Sequence, residues 1–462
     1  MPAAIQYTFD TKSDEYKQVE DDFAREITER GKTFKRNWDY YDGIMPEPLK
    51  VGKDKINDNI ILPKIGQITD KVVSFLIGDG VRFDASGDGE QGEIDKRIAA
   101  LWKANRKQLL MHNIAMSGAL AGHIFTRAEP GEKDQPRIVN LNPANCAAFW
   151  DVSDVERVLW YRLQFLVGKT GPGKRIDYIH GRVSSGRKGV IHDVDEWWEV
   201  VYITKGGINP EWIMLEPQQW PFEWAPITDW QNLPRPFKYY GMDDIDAAIR
   251  LNNAVNFAAS NYSRILKHHG FPKTVGLGFD AEDVLETGID GLWTVNKPKS
   301  EADIYNLEMQ SDLASSRAFI DLLSAEIWHS ARMVDPQSIK DKVGAITNFA
   351  LRVLYTDAIH KTQTKRLLYG EGLEILSKHG LEMQGIAPPE EIASIWPDVL
   401  PEDETETVQS LQAELASGII DEQTYREMRG YDNDQIVARL AEQRANEDNL
   451  GARLLSAFEA GR

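Results

Sequence analysis

The sequence has very little cysteine, since Cys146 is the single one among 462 residues. An intrachain disulfide and a metal site built from several cysteines are therefore excluded, and a reducing compartment is favoured. The sequence also lacks a run of about eighteen apolar residues, which a membrane helix requires, and an N-terminal basic segment followed by an apolar one. We expect a soluble protein that is not exported, with Cys146 as a small buried hydrophobe.

Positive charge is outnumbered, because 53 Lys and Arg residues stand against 72 Asp and Glu residues, a formal net charge of -19. A surface of this sign repels nucleic acid as a whole, so any contact with DNA has to be local and weak. Tight DNA binding over a broad face is not expected.

A glycine-rich stretch, GKTGPGKR at residues 168–175, has the spacing of a nucleotide-binding phosphate loop. That chemistry needs Ser or Thr after the lysine to hold magnesium, and a helix whose N-terminus faces the phosphates. Here Arg175 follows Lys174, and the next residues alternate as in a β-strand. The tip of a β-hairpin is the favoured interpretation, and nucleotide binding is the alternative.

Other candidate sites of catalysis or metal binding are weaker. The loop at residues 78–92 is rich in Gly and Asp but lacks the ligand alternation and closing Glu of a calcium loop. The acidic clusters DDID, residues 243–246, and PEDETE, residues 401–406, could serve a metal-dependent nuclease, yet both precede helical patterns where carboxylates act as caps. His268 and His269 are neighbours that point to different faces. We expect no metal site, no cofactor and no catalytic group.

The order of hydrophobic patterns predicts an α+β chain. Helical spacing occurs at residues 14–37, 65–76 and 94–121, and residues 122–232 alternate with period two, which predicts an antiparallel β region of meander type. This region contains a cluster of Trp residues for which packing is favoured over ligand stacking. The cluster consists of Trp197, Trp198, Trp212, Trp220, Trp224 and Trp230.

Long helices are predicted in the second half of the chain, at about residues 243–269, 312–334 and 345–379. A mixed, short-stranded segment lies between the first two, and a strand and a polar helical tail follow the third. The apolar stripe of the first long helix consists of Ile245, Ile249, Asn252, Val255, Ala259, Tyr262 and Leu266. The third becomes basic at Lys361, Lys365 and Arg366.

The join between the second and third long helices, in SARMVDPQSIKDKVGAITNFALRVLY, is short, charged and broken. Asp335-Pro336 should end a helix, because proline has no N–H and its ring clashes with the preceding turn. Lys340, Asp341, Lys342 and Gly344 follow before helical spacing resumes at residue 345.

This order of elements resembles the portal protein of tailed double-stranded DNA phages, of the type found in Bacillus siphophages. The resemblance covers residues 35–445. The similar motifs are YYDG, NDNIILPKIGQITDKVVSFLIGDGVRF, DDIDAAIRLNNAVN, IWPDVLPED and LASGIIDEQTYREM. The tail past residue 430 is short for a large C-terminal crown.

The resemblance implies a portal fold with a mainly helical wing and stem, long helices, an antiparallel β region and a small mixed clip, assembled as a dodecameric ring. The implied parts are a wing at 1–242, stem helices at 243–269 and 312–334, a clip at 270–311, a tunnel loop at 335–344, a wing helix and strand at 345–400, and a tail or crown at 401–462.

A portal of this type is a non-enzymatic conduit at one capsid vertex, used in DNA packaging and ejection. The implied partners are other copies of the chain, double-stranded DNA, the terminase large subunit, head-completion or adaptor proteins, and the major capsid and scaffolding proteins. The implied location is the virion, after assembly in the host cytoplasm, with no membrane contact and no cofactor.

The resemblance also assigns site residues. In the tunnel loop, which begins at Asp335, Lys340 and Lys342 would touch DNA phosphates, with Gln337 and Ser338 nearby. Asp341 would limit their grip, and Pro336 and Gly344 would be hinges. In the clip, the residues facing the terminase would be Lys273, Lys297 and Lys299.

Three alternatives stay open. The broken join could be an ordinary solvated connection between helices. The protein could be a ring-forming virion or adaptor component that does not conduct DNA. It could also be an enzyme, either a nucleotide hydrolase that uses Lys174 or a nuclease that uses the acidic clusters.

Overall fold

A computed structural model of the chain describes a mixed helix and sheet protein. The described residues are 14–50, 57–78, 80–85, 92–131, 135–151, 153–167, 171–180, 196–206, 211–270, 273–277, 303–307, 313–339, 348–400, 404–420 and 424–425. The chain divides into a large unit, residues 1–345 and 353–399, and a small unit, residues 346–352 and 400–462. Helix α10 of the small unit spans Glu404–Ala416.

Four helices open the large unit. They are α1 (Asp14–Tyr41), α2 (Lys64–Ile77), α3 (Glu93–Ala104) and α4 (Lys107–Ala121). The predicted apolar stripe of α2 is buried from Ile65 to Leu76, as its helical spacing requires. The break between α3 and α4 falls at Asn105 and Arg106, and Arg106 adopts a left-handed conformation.

Gly118 lies inside α4 and does not interrupt it, although glycine is unfavourable in a helix interior. Its role is close packing, because a Cβ atom here would lie 2.0 Å from the Tyr369 hydroxyl oxygen. Gly372 is similar, since a Cβ atom there would lie 2.4 Å from the Trp230 ring. Both glycines let helices approach their neighbours in the largest apolar core.

The predicted β region forms two antiparallel sheets. Their strands are β2 (His123–Glu129), β3 (Arg137–Asn140), β4 (Cys146–Asp151), β5 (Asp154–Leu166), β6 (Gly173–His180), β7 (Trp197–Thr204), β8 (Ile213–Met214), β9 (Gln218–Gln219) and β10 (Thr228–Gln231). Strands β4 to β8 form a meander in which β9 also pairs with β7, and the second sheet has the order β10-β2-β3. The predicted meander is therefore confirmed.

The Trp cluster packs, as predicted. Trp197 and Trp220 belong to the core between the sheets, and Trp198 and Trp212 belong to the core under α1. Trp230 joins the largest core, which also contains buried residues of α2, α3 and α4.

Strand β1 (Arg82–Asp84) pairs antiparallel with β13 (Ala393–Ile395). The strand predicted after the third long helix therefore exists and pairs with a strand of the N-terminal region.

A long helical hairpin follows the sheets. Helix α5 (Asp246–Gly270) leads to β11 (Lys273–Leu277), and β12 (Asp303–Leu307) leads to α6 (Leu313–Ser330). The two strands pair antiparallel, from Lys273 opposite Leu307 to Leu277 opposite Asp303, and α5 packs along α6. The first two predicted long helices thus exist within a few residues of their expected bounds.

The third predicted long helix is wrong as one continuous element. The structure has a four-residue helix α7 (Pro336–Ile339), then α8 (Asn348–Leu354) and α9 (Thr356–Met383). The backbone leaves helical geometry at Tyr355, with φ −90° and ψ 9°. The Tyr355 ring stacks on Phe75, and the Thr356 hydroxyl donates to the carbonyl of Val353, a local bond that competes with helix continuation.

Candidate stem junction

Helix α5 is fastened to an extended N-terminal segment by a ladder of side-chain hydrogen bonds. The rungs are Lys64 N to Asn252 Oδ1 at 3.1 Å, Leu62 N to Asn256 Oδ1 at 2.9 Å, and Ile60 N to Ser260 Oγ at 2.9 Å. Four helical residues rise about 6 Å and two extended residues about 6.6 Å, so every fourth side chain meets every second N–H. The ladder fixes α5 along its length.

A fourth rung continues this spacing as an ion pair. Arg264 lies four residues beyond Ser260, and Asp58 lies two residues before Ile60. The Arg264 guanidinium donates to the Asp58 carboxylate at 2.9 and 3.1 Å and also to the carbonyl of Lys50. The Arg264 hydrogen bond lowers the pKa of Asp58.

At the other end of α5, Asp244 is the hub of a buried charge cluster. Lys361 Nζ lies 2.7 Å from Asp244 Oδ1, and Lys365 Nζ lies 2.8 Å from Asp244 Oδ2. The Asn232 amide donates to Oδ2 at 3.0 Å and accepts from the Tyr369 hydroxyl at 2.8 Å. All these side chains are buried, so the cluster joins the end of β10, the start of α5 and one face of α9.

Lys361 also reaches the far end of the hairpin. Its ammonium donates to the carbonyl of Ala331 at 2.8 Å, one residue past the end of α6. A cation at a helix C-terminus is stabilised by the helix dipole and by the carbonyls that lack a helical partner. The chain then turns at Arg332, which has φ +57°. One residue of α9 therefore holds both ends of the α5–α6 hairpin.

The cluster has two ammonium groups for one carboxylate, and this imbalance shapes its electrostatics. The flanking lysines hold the pKa of Asp244 well below its usual range despite its burial. Burial lowers the pKa of Lys365, and repulsion by the ammonium group of Lys361 also lowers it. Asp244 supplies the negative charge that compensates both buried ammonium groups.

The basic residues of α9 are engaged in contacts within the subunit. Lys361 and Lys365 are buried in the cluster just described. Arg366 donates to the carbonyls of Phe75 and Leu76 at the end of α2 and to that of Pro397. These cations fasten α9 to α2, α5 and α6.

A second buried polar cluster joins the two sheets. Asp229 accepts hydrogen bonds from the hydroxyls of Tyr161 and Tyr239, both at 2.5 Å, and its Oδ2 lies 2.7 Å from Nε2 of His123. Burial lowers the pKa of His123, whose side chain is 2% exposed. A substrate in solvent has no access to this ring, so the cluster is a structural tie between β2, β5 and β10.

The structure describes part of the predicted tunnel loop. Asp335 precedes α7, Pro336 begins it, and Gln337 lies within it. The N–H and hydroxyl of Ser338 both donate to the carbonyl of Asp335, at 3.1 and 2.7 Å. Lys340, Asp341, Lys342 and Gly344 lie outside the described residues. Of the predicted clip lysines, Lys273 is the first residue of β11, whereas Lys297 and Lys299 also lie outside the described residues.

The strands on either side of GKTGPGKR, β5 and β6, pair as a β-hairpin, which contradicts a phosphate loop, and residues 168–170 at the tip lie outside the described residues. Lys174 lies in β6 opposite Phe165 and Ile203, and the strand continues to His180 where a phosphate site needs a helix. Arg175 is buried, 3.1 Å from Glu20 and over the Tyr202 ring.

The acidic cluster at 243–246 serves the fold. Asp243 Oδ1 accepts from the N–H groups of Ile245 and Asp246, as predicted for a cap, and Asp246 pairs with Arg36. Asp244, in contrast, is the buried hub and not a cap. In PEDETE, α10 begins at Glu404, and the preceding residues 401–403 lie outside the described part of the chain.

Further sequence expectations can be compared with the described residues. Cys146 is buried, and burial raises the pKa of its thiol to about 12. Within the described ranges, no group of three or more His, Cys, Asp or Glu lies where it could hold a metal ion. None of the described helices is long and apolar enough to cross a membrane.

The sequence matches the family described as phage portal protein, SPP1 Gp6-like, over residues 20–178 and 199–450. The chain belongs to this portal family. Portal proteins of this family are structural, non-enzymatic components, and no catalytic family is indicated for this member. No curated protein matches this portal protein.

Solved structures also resemble this portal protein, among them two at 13% sequence identity. A chain from the virion of a native gene transfer agent particle has a TM-score of 0.48, with 80% of this chain and 90% of that chain covered. A chain from the neck of an empty gene transfer agent particle has a TM-score of 0.46 and the same coverage. The family assignment rests on the sequence match and not on these superpositions.

Sequence reasoning missed the junction. Its signal is the spacing of Ala358, Lys361, Lys365 and Tyr369, which places two lysines on a stripe whose other members are apolar or aromatic. Lysines on such a stripe indicate buried, paired charge. The ladder has a signal too, since polar residues recur at every fourth position of α5 from Asn252 to Arg264.

Proposed function

We propose that the chain is the subunit of a ring at one capsid vertex, with a central channel for DNA in packaging and ejection. The family match across most of the sequence carries this proposal. The outer partners we propose are the terminase, head-completion or adaptor proteins, and the major capsid and scaffolding proteins. The α5–α6 hairpin would be the stem, and residues 270–311 the clip that meets the terminase and later the adaptor.

The stem junction supports a mechanical role for the hairpin. The ladder fixes α5 to residues 58–64, and Lys361 holds the start of α5 and the end of α6 together. A segment that leaves α6 beyond Ala331 therefore starts from a base with little freedom. We infer that residues 335–344 are the tunnel loop and that this base transmits force on the loop to the stem.

We infer further that Lys340 and Lys342 make transient contacts with DNA phosphates. A channel must let the duplex slide, so strong phosphate binding would act as a brake. The strongly acidic chain favours weak contact, because only a few lysines then attract the phosphate backbone of the DNA. Asp341, which lies between Lys340 and Lys342, weakens this attraction locally.

The test is replacement of both loop lysines by alanine in the phage that carries this portal. We expect a lower packaging rate, a shorter packaged length or reduced viability. The matched control is the double variant K32A/K35A, which removes the same charge from exposed positions of α1. A loop variant that equals the control in all three readouts would contradict the DNA contact and leave the ring proposal standing.

The clip is tested separately by K297A/K299A and by K273A. Each variant ring is incubated with the purified terminase large subunit, and the bound fraction is measured. We expect weaker terminase binding by rings that form normally. Unchanged binding would contradict the assignment of these lysines.

A further inference from the structure

Phe237 has two features that destabilise an isolated subunit. It is 93% exposed, the highest value among the large apolar side chains described. Its backbone has φ +62°, in the left-handed region that bulky L-residues avoid. Exposed aromatic surface and backbone strain both oppose folding, and strained positions that persist are found where function requires the geometry.

The turn that carries Phe237 is held firmly. The Gln231 side chain donates to the carbonyls of Lys238 and Tyr239, at 2.6 and 3.0 Å, and accepts from the N–H of Arg235 at 2.8 Å. The N–H of Lys238 donates to the carbonyl of Arg235 at 3.2 Å and closes the turn. A side chain displayed on such a turn loses little freedom when it meets a partner.

The charge of this turn is opposite to that of the chain. Arg235 and Lys238 are exposed on either side of Phe237, and no acidic residue lies between Pro234 and Tyr240. The whole chain has a formal charge of -19. A basic turn with a projecting aromatic ring is thus complementary to an acidic surface with an apolar centre, and other copies of the chain offer acidic surface.

We infer that residues 234–238, the Phe237 turn, dock on a second copy of this chain. This inference rests on the proposed ring, whose neighbours meet through two different surfaces and so can pair a knob with a separate acceptor. The α9 face bearing Leu367 and Glu371 has the required character. Leu367 is 76% exposed, and Glu371, one turn further, is exposed beside it.

The test compares F237G with F237Y in the full chain, by mass photometry over a dilution series. Glycine accepts the positive φ and removes the ring, whereas tyrosine keeps the ring. We expect F237G to raise the subunit concentration needed for half-assembly at least about tenfold, and F237Y to stay within about twofold of the parent. We expect R235E/K238E to weaken assembly as well, and more strongly at low salt.

A folding defect is separated from a docking defect by the thermal midpoint of the unassembled subunit. F237G should leave this midpoint unchanged or raise it, because glycine relieves the strain. If the parent forms rings and F237G assembles equally well, the docking inference is wrong and the ring proposal stands. If the parent stays monomeric at every concentration, both are wrong. If the variants assemble normally but R235E/K238E loses binding to a short DNA duplex, the turn contacts DNA instead.

Discussion

Replacing Asp244 by Asn should be among the most damaging single changes in the α5–α6 junction. The carboxylate is fully buried and faces Lys361 and Lys365 at 2.7 and 2.8 Å. Asparagine has a similar shape but leaves both ammonium groups buried without a counter-charge. Removing one partner of a buried ion pair costs about 3–5 kcal/mol. D244N removes the partner of two cations, so we expect it to lower the free energy of unfolding by at least about 3–5 kcal/mol.

Replacing Lys365 by Met should cost much less. The variant removes the cation that the cluster holds in excess, and Asp244 keeps Lys361 and the Asn232 amide as partners. Methionine retains most of the aliphatic packing of the lysine side chain. We expect a loss of about 0–2 kcal/mol, and we expect D244N/K365M to be more stable than D244N alone because it buries one unpaired cation instead of two.

The assay is urea denaturation of the full chain at fixed concentration, followed by tryptophan fluorescence. The control is D246N, which removes a carboxylate from the exposed pair with Arg36 and should cost under about 1 kcal/mol. If D244N lowers the free energy of unfolding no more than D246N does, Asp244 is not the hub of the cluster. If K365M lowers the free energy of unfolding as much as D244N does, Lys365 is not a cation in excess.

Further predictions concern His379 and the α5 ladder. His379 is half-buried and stacks on Trp224, and its desolvation there lowers its pKa to about 3. As the pH falls from about 6.5 towards 3, the unfolded state therefore takes up a proton that the folded state does not, and the free energy of unfolding falls. H379F keeps a stacked ring and should flatten this part of a stability profile against pH; a profile as steep as the parent's would contradict the assignment. N256A removes a buried side chain, leaves the Leu62 N–H without its partner and should cost about 1–3 kcal/mol of the free energy of unfolding in urea denaturation. N253A should cost under about 1 kcal/mol, because the Asn253 side chain is half-buried and bonds the Tyr40 hydroxyl instead of a backbone N–H. Equal costs for the two alanine variants would contradict the ladder.

Local periodicity predicted the elements of the fold because it depends on neighbours in sequence. The stripe of α5 is buried from Ile245 to Ala259, as its spacing requires, but Leu266 is 44% exposed because the helix there extends beyond the core. The meander followed from alternation and turn residues. The contact of the Tyr355 ring with Phe75 at the interruption between α8 and α9 could not be predicted, since the two residues are 280 positions apart in the sequence.

The junction could not be assigned from sequence for a similar reason. The spacing of Lys361 and Lys365 shows that they share a face of α9 but not whether that face is buried. Burial depends on Asp244, which is 117 and 121 residues away. The family resemblance was predicted correctly, because it depends on the order of elements and on motifs spread over most of the chain.

The most direct test of the proposed function is cryo-electron microscopy of the purified protein, with mass photometry of the same sample. The account predicts closed rings of about a dozen copies around a channel that admits a duplex about 20 Å across, with residues 335–344 at its narrowest point. Closed rings with a channel too narrow for a duplex would contradict the conduit and favour an adaptor. A monomer at every concentration would contradict the ring itself.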